Sequence, residues 1–262
     1  MTTTTTKDQF FTIPEVSARC LGRLRLEDYR TIVEPSSGDG SFYKQLPARA
    51  IGIEIDPAVA CDGVLVQDFF TFQLTNKRHP ILFVGNPPFG LNSSLAVKFF
   101  NHAAGIADKE GDEIAFIVPA TFRRFSVQNR LDLNYHCRFT EEIPMGSFIP
   151  KTMHARCVFQ IWQRRSKPRK KIVVEPSPDF WHCKRSEADI AMKAYGGSGD
   201  CGTIIEPEEV INPKAYHFLK LRTPSIRHRL AKLDYYPLSA HTVRQDSIGM
   251  TDLYYLYNQK FG

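Results

Sequence analysis

Residues 81–90 read Ile-Leu-Phe-Val-Gly-Asn-Pro-Pro-Phe-Gly. Four apolar residues followed by two prolines narrow what this stretch can be: a buried strand that stops abruptly and passes into a stiff loop. Each proline fixes its own φ and biases the residue before it toward extended geometry, so Asn86 and Pro87 are held in place. The Asn86 side-chain oxygen and the Pro87 carbonyl then form a pair of acceptors, and Phe89 sets an aromatic face beside them. Two acceptors and a ring suit an exocyclic amino group on a flat heterocycle. Asparagine and proline are also ordinary turn residues, and a plain turn is the alternative for these four residues taken alone.

The stretches around this strand supply context. Thr31-Ile32-Val33-Glu34 reads as a short strand running into Pro35-Ser36-Ser37-Gly38-Asp39-Gly40, with a helix expected to open near Ser41 and Asp39 as its possible cap. Glycines at such a turn let the backbone approach a ligand closely. Residues 50–57 form a second strand, and Glu54 lies 16 residues beyond Gly38. A carboxylate at that place can accept both hydroxyls of a ribose, with Asp56 the alternative or the start of the next helix. Residues 64–70 give a third strand with Asp68 at its end, either capping the next element or contacting a ligand. Further expectations are a helix over 93–105, a buried strand over 113–119, a helix over 120–133 and strands over 141–144 and 157–163. Near the start, Thr12, Pro14 and Glu15 have the spacing of a capped helix.

These stretches together resemble the class I S-adenosylmethionine-dependent methyltransferases, in particular the adenine-N6 nucleic-acid enzymes and their small stand-alone viral or phage forms. Asn86-Pro87-Pro88-Phe89 resembles motif IV of that family, the run from Glu34 to Gly40 resembles motif I, and Gly52-Ile53-Glu54-Ile55-Asp56-Pro57 resembles motif II. Phe10-Phe11-Thr12 before Pro14 is similar to motif X. The resemblance implies a Rossmann-like α/β fold: a seven-stranded doubly wound sheet with a reversed last strand, over residues 7–164. It implies S-adenosyl-L-methionine as cofactor. Phe10, Phe11 and Thr12 would line its methionine end and Glu34 would hold its amino-acid end. Ser36, Gly38 and Gly40 would form the turn, Glu54 and Ile55 would meet the ribose and ring, and Asp68 and Phe69 the adenine. Asn86, Pro87, Pro88 and Phe89 would carry the reaction, with Asn86 also facing the cofactor. A looser likeness to motif VIII marks Phe148, expected as an exposed aromatic closing over a flipped base opposite Phe89; its alternative is an anchor in the core.

Charge bears on the substrate. The chain has 262 residues and a net charge of +6. Residues 1–163 hold 17 basic and 17 acidic side chains, and residues 164–262 hold 17 and 11. The sharpest cluster is Arg164, Arg165, Lys167, Arg169, Lys170 and Lys171, which is either a solvated linker or a set of phosphate contacts. Residues 165–262 are expected to form a small α+β substrate module, with strands over 171–175 and 216–221 and a helix over 187–195. Six cysteines without a C-x-x-C pair argue for reduced thiols in an intracellular protein, not a disulfide or zinc framework, and His182-Cys183 with Cys201 lacks the ligand spacing of a metal site, so no metal is expected. Neither a membrane span nor a signal sequence is apparent, and MTTTTTKDQ reads as a frayed tail. Competing functions are methyl transfer to a protein glutamine amide, and nucleic-acid binding without catalysis. Partners expected are DNA or RNA carrying an adenine target.

Overall fold

Side chains of the central strands alternate between two faces, and each face has its own core. In the strand Ile81–Gly85, Ile81 and Phe83 enter one core while Leu82 and Val84 enter the other. A strand apolar on both faces belongs in the middle of a sheet covered on both sides. A computed structural model describes residues 10–150 and 155–262, so the expected tail and the start of the domain at 7–9 lie outside the described residues.

Two compact units divide the chain, up to Lys171 and from Ile172 to Gly262. Strands of the first unit are β1 (Phe11–Thr12), β2 (Thr31–Glu34), β3 (Ile51–Glu54), β4 (Leu65–Val66), β5 (Ile81–Gly85), β6 (Glu113–Pro119), β7 (Tyr135–Ile143), β8 (Phe148–Ile149) and β9 (Cys157–Arg164). Seven of them form one mixed sheet in the order β4-β3-β2-β5-β6-β9-β7, while β1 pairs with β8. Pairing is parallel from β4 through β6, and β9 runs antiparallel to both β6 and β7. With helices on its faces this is a Rossmann-like arrangement. The strand order reverses between β2 and β5, and open α/β sheets bind ligands in the crevice outside the carboxyl ends of the strands at such a point.

Helix α1 (Pro14–Leu21) covers one face with Val16, Cys20 and Leu21. Helix α2 (Ser94–Ile106) covers the other, its buried Ala96, Val97, Phe99, Phe100, Ala103 and Ala104 recurring at helical spacing. Phe100 packs edge-on against Tyr135 and Trp162, so Phe100→Ala would cost about 3–5 kcal/mol. At the amino ends of the parallel strands, Asp112 is fully buried and accepts from the amides of Ile81 and Lys109 and from His79.

Several expected elements differ. Thr12 lies in β1; the first residue before α1 is Ile13, which makes no side-chain cap, and Pro14 opens the helix. No helix opens at Ser41. The chain makes turns and a short 3-10 segment, Tyr43–Gln45, because Pro47 forces Leu46 into extended geometry. The expected helix over 120–133 is a 3-10 turn (Ala120–Arg123) and a single helical turn, α3 (Phe125–Gln128). Asn101 then holds the following loop, donating to the Arg130 carbonyl and accepting from the Asp132 amide. The strand expected at 141–144 begins already at Tyr135.

In the second unit, β10 (Phe180–His182), β11 (Ile190–Lys193), β12 (Tyr195–Gly196), β13 (Ile204–Ile205), β14 (Tyr216–Leu221) and β15 (Asp246–Ser247) are joined by α4 (Ser225–Ala231), α5 (Tyr236–Ser239) and α6 (Met250–Phe261). An antiparallel sheet in the order β10-β14-β11-β13 shares a core with α4 and α6, built on Phe180, Met192, Leu219, Leu230, Leu253 and Tyr257. The helix expected over 187–195 is strand β11: Ile190 and Met192 face that core and Ala191 faces the opposite side, a period of two. Residues 171–175 form no strand, and Val173 is exposed.

The boundary has a consequence for charge. It falls at 171/172, seven residues beyond the expected 164/165, because residues 165–169 are tied to the first unit. Arg165 and Arg169 donate their amides to the Asn134 and Leu133 carbonyls, and His136 bonds the Lys167 carbonyl. Residues 172–262 then carry 11 basic and 11 acidic side chains. The second unit is neutral, and the whole positive surplus belongs to the strap of residues 164–171. Among the described residues, no helix is long and apolar enough to cross a membrane.

Candidate active site

The crevice between β2 and β5 is built from backbone inward. Glu34 ends β2 and is almost wholly buried. Its side chain passes over Gly85, the last residue of β5, where a Cβ would lie 3.1 Å from the Glu34 Cγ and where φ is +149°. A side chain at 85 would therefore press on Glu34. Sequence reasoning passed over this glycine, although a glycine ending an otherwise bulky strand is a signal of close approach.

Asn86 follows directly. Its Nδ2 donates to the Phe10 carbonyl at 3.1 Å, and its own carbonyl accepts from Ser36 Oγ at 3.2 Å. The amide nitrogen and the main chain are thus both fixed, which points the remaining atom, Oδ1. That oxygen is buried without a hydrogen-bond partner, and so are Glu34 Oε2 and Thr12 Oγ1. Buried polar atoms are nearly always paired, because an unmet acceptor costs about 1–3 kcal/mol. Thr12 lies on β1, Glu34 at the end of β2 and Asn86 directly after β5, and each leaves one polar atom open to a partner. Burial, the chief cause, raises the Glu34 carboxyl well above its ordinary value, with Asp39 and Glu54 adding to the rise against a Ser37 hydrogen bond.

The glycine turn is held by Glu54, whose two oxygens accept from the amides of Gly38 at 2.8 Å and Asp56 at 2.9 Å. A carboxylate has further lone-pair sites beyond two backbone amides. Gly38 has φ +51°, and a Cβ there would meet the Phe11 ring at 3.0 Å, so Phe11 lies on the turn. A Cβ on Gly40 would lie closer still, 2.5 Å from Cys61 Sγ. Ile55, after Glu54, is 62% exposed and presents an apolar surface at the end of β3.

Asp68 caps the next turn by accepting from the Phe70 amide. Phe69 is turned into the core against Phe83, Phe99 and His102, so it forms no open stacking face. Phe148 is likewise no exposed clamp. It is 3% exposed, pairs with Thr12 across β1 and β8 and belongs to a core cluster, because the strand pairing turns its ring inward. Phe89 is half-buried where the two cores meet, and its carbonyl accepts from the amides of Leu95 and Ala96 at the start of α2. Pro87 is buried and Pro88 half-buried beside it.

The basic cluster lies elsewhere. Gln163 pairs with Glu113 at the start of β6, whereas Gly85 pairs with Phe116. The strap after β9 is therefore at the amino ends of the parallel strands, about 13 Å back along the sheet from the start of the acceptor loop. Arg164 pairs with Asp132 and lies over Tyr135. Arg169 donates to the carbonyls of Tyr135 and Gln128 and stacks on Trp162. These two arginines hold the strap, while Arg165, Lys167, Lys170 and Lys171 are exposed.

No protein-family profile and no curated protein matches the chain. Solved structures similar to it include a chain of a type I R-M system, at 16% identity and TM-score 0.46, covering 61% of this chain and 43% of that one. The N-methyltransferase NodS of Bradyrhizobium japonicum, crystallised with S-adenosyl-L-homocysteine, matches at 16% identity and TM-score 0.43, over 58% and 87%. TrmN of Thermus thermophilus matches at 15% identity and TM-score 0.38, over 58% and 49%. The chain spans less than half the length of the R-M chain it matches.

Proposed function

We propose that the chain is an S-adenosylmethionine-dependent methyltransferase that modifies the N6 amino group of adenine in DNA or RNA. The observation that carries this reading is the Asn86 carboxamide, whose nitrogen is committed to Phe10 and whose oxygen is a buried acceptor without a donor. The donor set fits the cofactor as well. Glu34 Oε2 suits its ammonium, Thr12 Oγ1 its carboxylate, Glu54 its ribose, and Ile55 with Asp68 its adenine. When bound, the cofactor supplies an electrophilic methyl group on a sulfonium.

The residues of the chain do the remainder. The lone pair of an adenine amine is delocalised into the ring, which makes N6 a poor nucleophile. Asn86 Oδ1 and the Pro87 carbonyl accept its two N–H bonds and favour a pyramidal nitrogen whose lone pair is available. Phe89 stacks on the ring and fixes its plane. Positioning of this kind lowers a barrier by about 7–11 kcal/mol. The proton on the product nitrogen leaves to water. In a duplex the base must first leave the stack, at a cost of a few kcal/mol. Arg165, Lys167, Lys170 and Lys171 serve as phosphate contacts remote from the acceptor, and residues 172–262 as a substrate module.

Transfer of tritiated methyl from labelled cofactor to duplex DNA, single-stranded DNA and structured RNA tests this, followed by nucleoside digestion and mass spectrometry. N6-methyladenosine or its deoxy form is expected. Cofactor binding with no incorporation into any nucleic acid would overturn the substrate and leave a protein glutamine amide as the acceptor.

A further inference from the structure

The loop that follows the acceptor motif is strained, anchored and apolar at its tip. Asn92 and Ser93 are consecutive non-glycine residues with φ of +51° and +59°; asparagine tolerates the left-handed region as a single residue, whereas the serine that continues it is disfavoured there. Gly90 precedes them at φ +66°, where a Cβ would lie 2.7 Å from the Leu95 Cβ. Three ties hold this shape: Phe89 accepts from the Leu95 and Ala96 amides, and Ser93, 2% exposed, exchanges a 2.8 Å hydrogen bond with Thr121 Oγ1. That hydroxyl is thereby diverted from capping α2. Between the ties stands Leu91, 82% exposed.

A single exposed leucine is ordinary on a protein surface. A leucine held out by strained backbone, two residues from the aromatic of the acceptor motif, is different, since such strain persists where the surroundings impose it and gathers at functional sites. Two peptide links limit the Cα distance from Phe89 to Leu91 to about 7 Å. A base that leaves a duplex opens a gap of about 7 Å between its former neighbours, twice the helical rise of about 3.4 Å per base. Apolar side chains fill such gaps in proteins that unstack a nucleic acid.

We infer that Leu91 is a wedge, filling the space in a duplex vacated by the adenine that Asn86 and Phe89 hold. This rests on the reading that the acceptor is a base in nucleic acid. The wedge compensates lost stacking only where stacking is lost, so its contribution depends on the strandedness of the substrate.

The test compares the full chain with Leu91→Ala and Leu91→Phe, measuring kcat/KM on one adenine-containing sequence as a duplex and as a single strand. Calorimetric cofactor affinity serves as a check that the site is intact. Leu91→Ala is expected to lower the duplex-to-single-strand ratio about tenfold or more, which corresponds to about 1.4 kcal/mol. Leu91→Phe should retain most of the ratio. Placing an abasic site beside the target should shrink the difference between wild type and Leu91→Ala. Equal loss on both substrates, no loss on either, or wild-type activity confined to single strands would overturn the wedge and leave adenine methylation standing. No transfer by the wild type to any nucleic acid, with cofactor bound, would overturn both.

Discussion

Ser36 Oγ donates to the carbonyl of Asn86 at 3.2 Å, which joins the turn after β2 to the acceptor loop after β5. One end of the site therefore positions the other. Ser36→Ala removes one neutral hydrogen bond, about 1 kcal/mol, and is expected to lower kcat about fivefold. Calorimetry should find the cofactor dissociation constant nearly unchanged. A large change there would place Ser36 in cofactor binding instead.

Asn86→Ala removes the oriented acceptor and the bond to Phe10. A loss in kcat on the order of 10²–10³-fold is expected, the scale seen when one preorganised polar group is deleted. Cofactor affinity should stay within about threefold, as RT ln 3 is small beside the deleted interaction. Single-turnover rates and calorimetry on the same preparation check both halves.

Glu34 gives a pH signature. Its folded-state value is raised by burial, so its contribution to stability is fully present below the ordinary carboxyl value of 4.5 and is lost as pH rises through the folded value. Glu34→Gln abolishes that loss. The cofactor-free variant should gain in Tm over the wild type from acid toward neutral pH, while binding the cofactor about tenfold more weakly for want of a charge-assisted bond. A Tm difference independent of pH would sink the assignment.

The strap predicts a division of labour within one short segment. Arg169→Ala should destabilise the fold by about 2–3 kcal/mol, because the Tyr135 and Gln128 carbonyls lose a charged donor. Replacing Arg165, Lys167, Lys170 and Lys171 together by glutamine should change stability by no more than about 0.5 kcal/mol. It should also flatten the salt dependence of nucleic-acid affinity by up to about 0.7–0.9 log unit per cation removed. Denaturant midpoints and a salt titration separate the two effects.

The strands that build the crevice were legible because each carries a short apolar run ended by a distinctive residue. Residues 31–34, 51–54, 81–85 and 113–119 are strands as their patterns indicate. Helices were less legible. Pro47 and the Asn101 tether, 31 residues from the amide it holds, cut two of them short. The site was readable as a set of acceptors, but not as a set of unmet ones. That Glu54 spends both oxygens on backbone amides, or that Phe69 and Phe148 turn inward, depends on contacts across strands that no local pattern contains. Charge misled for a similar reason: the strap is contiguous in sequence with the second unit but tied to the first by Asn134 and Leu133.

The carbonyl of Phe89 has two neighbours that report on it. Because the Leu95 and Ala96 amides both end on that oxygen, the acceptor loop and the first turn of α2 must open together. Hydrogen exchange at those two amides thus becomes a clock for the site, read without substrate or product. A ligand that settles Phe89 should slow both amides in step, which turns an ordinary helix start into the gauge of how often the pocket comes apart.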